Sequence, residues 1–148
     1  MKFQADRDVL SDAVSFVVRM LSPRPQLPQL SGALIDAEDS KVTLSIFDYE
    51  VVAKVTINAS VEKSGKTLVQ ARLLSEIVSK LPGDTVSLDL GDSRVSITSG
   101  SSKFSLSAMS MTEYPQTPDV PTGSGSLSAE DFASAVAEVS IAASREEV

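Results

Sequence analysis

"KTLVQARLLSEIVSKLPGDTVSLDL", residues 66–90, decides how the rest of the chain is read. It opens with a short strand-like run, "KTLVQA" (66–71). Leu73, Leu74, Ile77, Val78 and Leu81 then recur at the spacing of an amphipathic helix over 72–82. Pro82 and Gly83 stop that helix, and "TVSLDL" (85–90) alternates apolar with polar, the period of a half-buried strand. "RVSITS" and "KFSLSA" follow with the same alternation, separated by "GD" and "SGSS" turns. The order is strand, helix, three strands.

Upstream the same order is present with different residues. "KFQAD" (2–6) is a strand, and Asp6 stands at the N-cap of a helix carrying Leu10, Ala13, Val14, Val17, Val18 and Leu21 on one stripe. Pro23 marks its end, because proline disfavours helical geometry in the residue before it. "LSGALIDA" (30–37), "KVTLSIFD" (41–48) and "VVAKVTIN" (51–58) supply three strands, with "DYE" (48–50) as a tight turn. The fold class is therefore α+β, a duplication of β-α-β-β-β units.

Downstream lies "EYPQTPDVPTGSGS" (113–126), rich in Pro, Gly and Ser, and then the pattern restarts. "LSAEDFASAVAEVSIAAS" (127–144) has Ser128 and Asp131 at capping-box spacing and a stripe of Phe132, Ala135, Val136, Val139 and Ala143. The expected organisation is a first domain over 1–121, a linker over 122–126, and the opening strand and helix of a second copy over 127–148. On that reading the chain is a piece of a longer series of repeated domains.

Composition narrows the chemistry. The 148 residues are 42% hydrophobic and 22% charged, enough to bury one sizeable core. Without Cys or His, disulfides, thiol chemistry, a Ser-His-Asp triad and a His-containing zinc site are excluded. There is no apolar run of about 18 residues for a membrane helix, and the charged N-terminus "MKFQADRDVL" lacks a signal-peptide core, so an intracellular protein is expected. The net charge of −7 repels nucleic acid at long range unless cations gather on one face.

Four features carry alternatives. "SGKT" (64–67) resembles the end of a phosphate-binding loop, but Ser60 occupies the position of the motif's first glycine, and a strand follows where a helix is required. It reads as a hairpin turn with an exposed Lys66. Asp48 and Glu50 have the spacing of a carboxylate pair, without a third ligand or basic partner nearby, and read as a polar turn; Asp36, Glu38 and Asp39 read as a solvated loop. Opposite their apolar stripes the helices carry small polar residues and scattered cations, including Arg7, Arg19, Arg72 and Lys80. That is a solvated face, and equally one suited to lying near DNA without gripping it, since tight binding needs many simultaneous phosphate contacts. Phe104 and Leu106 alternate with Lys103, Ser105 and Ser107; at a sheet edge they would offer a protein docking site.

In order and spacing, "MKF" with "RDVLSDAV", "RPQLPQLSGALIDA", "FDYEV", "LVQARLLSEIVSKLP", "SGSSKFSLSAM", "EYP" and "GSLSAEDFASAV" resemble the N-terminal part of the bacterial DNA polymerase III β subunits, the sliding clamps. The resemblance implies the DNA clamp fold, with two helices packed on one face of a curved antiparallel sheet, three such domains per subunit and a head-to-tail homodimeric ring around duplex DNA. It implies a non-enzymatic, cytoplasmic processivity factor with no cofactor or metal, which tethers the polymerase III catalytic subunit and is loaded by a clamp loader. These partners would bind through regions outside this chain, which by itself would be monomeric and unable to encircle DNA. By the same resemblance Arg24, Arg72 and Arg145 would face DNA, the prolines of "LSPRPQLPQLSG" (21–32) presenting Arg24. Phe104 and Leu106 would meet the neighbouring subunit. Leu73 stands at an interface position where some relatives carry lysine. The alternatives are a protein-interaction module using the Phe104 strand, and a nucleotide-using enzyme through "SGKT".

Overall fold

The computed structural model describes residues 1–118 and 121–144. The chain divides into a unit spanning Met1–Pro118 and a second, Asp119–Val148. In the first unit the elements run β1 (Lys2–Asp6), α1 (Arg7–Arg19), a 3-10 turn (Pro28–Ser31), β2 (Gly32–Glu38), β3 (Lys41–Phe47), β4 (Val52–Asn58), β5 (Ser60–Lys63), β6 (Gly65–Gln70), α2 (Ala71–Val78), β7 (Thr85–Leu90), β8 (Arg94–Ser99) and β9 (Ser102–Ser107).

The strands form two antiparallel sheets in an α+β clamp arrangement. One has the order β5-β1-β7-β8-β9 and the other β4-β3-β2-β6. The reason is an exchange. β1, the opening strand of the first half, pairs with β7 of the second half, Phe3 opposite Leu88 and Ala5 opposite Val86. β6, the opening strand of the second half, pairs with β2 of the first, Ala33 opposite Val69 and Ile35 opposite Thr67. Neither half can complete its sheet without the other.

"SGKT" lies at the crossing between the sheets and is not a hairpin. β5 pairs with β1, the chain bends at Gly65, and β6 continues into the other sheet. A Cβ on Gly65 would lie 3.2 Å from that of Met1, and its φ of 154° disfavours a side chain in any case. Lys66 sits opposite Asp36 in the β2–β6 register and holds its carboxylate at 2.8 Å. It is a cross-strand ion pair, and β5 is a strand the sequence pattern did not reveal.

One core joins both sheets and both helices. Phe3, Leu10, Val14, Val17, Ile35, Leu44, Ile46, Leu74, Leu88 and Ile97 are all fully buried in it. Truncating one of its leucines to alanine is worth about 2–5 kcal/mol. Both helices are capped by the residue before them: Asp6 Oδ1 accepts from the Val9 amide at 3.0 Å, and Gln70 Oε1 from the Leu73 amide at 2.7 Å. They also end earlier than their stripes. Met20 and Leu21 donate to Val17 and Val18, and Lys80 and Leu81 to Ile77 and Val78, so each last turn tightens to three-residue bonds. Leu21 and Leu81 remain buried, which is why periodicity alone overran the helix ends and why α1 stops before Pro23 is reached.

After β9 the chain crosses the other sheet. Met109 donates to the Leu68 carbonyl at 2.8 Å and forms an isolated bridge with it. Leu68 and Leu30 are fully buried, yet stand apart from the main core. Gly32 packs so tightly against Leu68 that a Cβ there would come within 2.7 Å of its Cδ1. Further along, Gln29 Nε2 donates to Glu113 Oε2 at 2.7 Å, and Tyr114 is half-buried. In the second unit α3 (Ala129–Ser140) is capped by Ser128, whose Oγ accepts from Asp131, and carries Phe132, Val136 and Val139 exposed.

Burial raises the Tyr114 phenol above its ordinary value, partly opposed by the Phe47 backbone. The neutral phenol is therefore favoured in the fold, and its contribution to stability is intact below the unfolded value of about 10. It is lost as pH rises through the higher folded value. Alkaline titration followed by phenolate absorbance should contain a late step that Tyr114→Phe removes, and the same variant should lose less stability above pH about 10.

Candidate nucleic-acid interface

The two helices pack against each other. The Arg7 amide, at the start of α1, donates to the Asp84 carbonyl at 2.8 Å, and Arg7 Nε donates to Gly83 at 3.4 Å, just past the end of α2. The beginning of α1 therefore meets the exit of α2, and the helices run antiparallel. As a result, the exit of α1, with the loop that follows it, lies at the end of the pair where α2 begins. Arg24 is in that loop and Arg72 is in the first turn of α2, so residues far apart in sequence come to one end of the helix pair. Both are exposed, and neither guanidinium has an ion-pair partner among the described residues.

The loop is held at both ends. Leu21 and Leu30 are buried anchors, and the Arg24 amide donates to Ser22 Oγ at 3.3 Å. Pro28 opens the 3-10 turn, closed by the Leu30 amide on Leu27 and by Ser31 Oγ on the Pro28 carbonyl at 2.6 Å. The prolines thus act on the loop and not on the helix end.

Arg24 shares a cleft of about 160 Å³ with Pro25, Gln26, Asp48, Tyr49 and Glu50. Asp48 Oδ1 accepts from the Glu50 and Val51 amides at 3.1 and 2.7 Å, so it builds the β3–β4 turn. Tyr49 is held in that turn at φ 75°, its ring 5.6 Å from that of Phe47. No cluster suited to a metal ion occurs among the described residues. What Asp48 and Glu50 add is negative charge beside Arg24. Their separation from it in the sequence hides this, and only the pairing of β3 with β4 against the loop brings them together.

The apolar candidates divide. β9 is an edge strand, and Phe104 and Leu106 lie on one of its faces, opposite Ile97 and Val95. Leu106 is only 8% exposed and already belongs to the core, whereas Phe104 is 41% exposed and Leu73, on α2, is 47% exposed. Arg145 lies outside the described residues.

An exchanged pair of β-α-β-β-β units over two sheets, with paired helices carrying cations at one end, defines a class of duplicated clamp-like α+β domain. Comparison narrows the class. The profile of the DNA polymerase III beta subunit, N-terminal domain, matches residues 1–118, and this chain belongs to that family. It is 46% identical over 147 residues to the beta sliding clamp of Micrococcus luteus, covering 99% of this chain and 47% of that protein. With the beta sliding clamp of Streptomyces coelicolor it shares 42% identity, covering 39% of that protein. The crystal structure of the beta subunit from DNA polymerase of Streptococcus pyogenes superposes with a TM-score of 0.90 at 26% identity, over 99% of this chain and 41% of that one. The chain spans less than half the length of these relatives.

Asp48→Ala, which removes the acceptor for two turn amides, should lower stability by about 1 kcal/mol. Tyr49→Gly, which relieves a positive φ, should be neutral or slightly stabilising. Thermal unfolding of the two variants beside the parent chain separates these outcomes.

Proposed function

We propose that this chain is the N-terminal part of a ring-shaped processivity factor that encircles duplex DNA and tethers a replicative polymerase. It has no catalytic role of its own. The observation that carries the reading is the convergence of Arg24 and Arg72 at one end of an antiparallel helix pair, in a domain of the β-subunit family. Few exposed cations on a chain of net charge −7 give weak, sequence-independent attraction to phosphates. Such weakness suits a protein whose hold on DNA is topological, because strong contacts would oppose sliding.

On this reading Arg24, Arg72 and Arg145 face the DNA. Phe104 on the β9 edge and Leu73 on α2 are open for a neighbouring subunit, with Leu106 supporting Phe104 from within. The second unit, whose α3 stripe is exposed, opens a second copy of the domain. The complete protein forms a homodimeric ring in the cytoplasm, and the polymerase and clamp loader engage parts that correspond to the remaining length of the relatives. No helix among the described residues is long and apolar enough to cross a membrane.

A complete protein carrying this domain should stay on closed circular DNA and leave once the circle is cut. Equal retention on both forms would overturn the topological reading. For the domain itself, Arg24→Ala with Arg72→Ala should weaken low-salt binding to a short duplex roughly tenfold and flatten the slope of log affinity against log salt by about 2. Glu50→Gln should strengthen binding about threefold at low salt by removing a charge beside Arg24, a gain that fades near 0.15 M, where the screening length is about 8 Å. If duplex binding is undetectable and the Phe104 edge instead captures a protein partner, the domain is an interaction module.

A further inference from the structure

We infer that the segment after β9, residues 109–114, is a strap that positions the Arg24 loop, with Glu113 and Tyr114 as its positioning residues. This rests on the proposed role of Arg24 in meeting DNA. The strap is fixed at its start, where Met109 bridges Leu68 on β6. It turns at the Tyr114 amide, which donates to the Met111 carbonyl at 3.2 Å. Its far end then reaches the residues next to both walls of the cleft that holds Arg24: Gln29 beside Leu30, and Phe47 beside Asp48.

One wall is the loop itself. Gln29, in the 3-10 turn that closes the Arg24 loop, donates its side-chain amide to Glu113 at 2.7 Å. This is a charge-assisted bond across most of the length of the unit, and it fixes the foot of the loop more firmly than a neutral bond would. The other wall is the β3–β4 turn. The phenol end of the half-buried Tyr114 lies near the Phe47 backbone, immediately before Asp48 and Tyr49, with its hydroxyl buried and not hydrogen-bonded among the described residues. Leu30 and Leu68, fully buried on this side of the sheet, give the strap an apolar floor separate from the main core.

Glu113 and Tyr114 each act through the segment they hold, Glu113 through Gln29 and Tyr114 through the end of β3. The loop between the buried anchors Leu21 and Leu30 contains three prolines and no regular pairing. Its conformation therefore depends on what grips its ends.

The test uses the 148-residue chain and backbone order parameters from nitrogen relaxation at Ser22, Arg24, Gln26 and Leu27, with duplex affinity measured in parallel. In the parent chain and in Glu113→Gln, which keeps an acceptor for Gln29, these amides should be near the rigid value of about 0.85. In Glu113→Ala and Tyr114→Ala they should fall toward about 0.6, while amides of α1 and β3 are unchanged, and low-salt duplex affinity should drop about threefold. Unchanged loop order in Glu113→Ala overturns the strap. So does a loosened loop that binds duplex as well as the parent. If the parent chain itself binds no duplex, the DNA reading fails, and the strap stands or falls on the order parameters alone.

Discussion

The exchange of β1 and β6 between the two halves is the constraint on which the rest of the structure depends. Because β1 completes the sheet of the second half and β6 that of the first, the halves share one core and fold as a single body. The same exchange sets the helices. α1 follows β1 and α2 follows β6, with hardly a residue between strand and helix, so each helix starts from the sheet of the opposite half. Their antiparallel pairing, which puts Arg24 and Arg72 toward one end of the pair, follows from that arrangement.

Electrostatics explains why the resulting surface is weak by construction. Arg24 is exposed and unpaired among the described residues, which leaves it free for a phosphate, yet Asp48 and Glu50 line the same cleft. Asp48 is occupied by two turn amides, while Glu50 remains a bare charge in solvent. Screening at physiological salt reduces both the attraction and the repulsion to about the reach of one side chain. In the proposed ring, which would enclose its ligand, no more than this is needed, and a cluster of cations here would add friction.

The polar features without a catalytic role have structural ones. Lys66 of "SGKT" pairs with Asp36 across two strands, Asp48 builds a turn, and Ser99, buried, donates to the Pro82 carbonyl and lies 2.8 Å from that of Thr85. Lys66 and Asp48 were each read from the sequence with a possible chemical role beside it. In all three the side chain is engaged by its neighbours.

Local periodicity was enough to reveal the duplication, the caps at Asp6 and Ser128, and most strand positions, because these depend on neighbours a few residues away. The sequence alone also excluded histidine and cysteine chemistry. The resemblance it carries picked out Arg24 and Arg72, but not their common location. That needed the strand exchange, which has no local signature: Phe3 pairs as readily with Leu88 as with any other apolar strand until the whole core is assembled. The same holds for Glu50 beside Arg24, for Leu106 turning into the core while Phe104 stays open, and for Gln29 bound to Glu113. Such contacts between distant residues are decided by which packing buries the most apolar surface together, a property of the tertiary structure and not of any stretch of sequence.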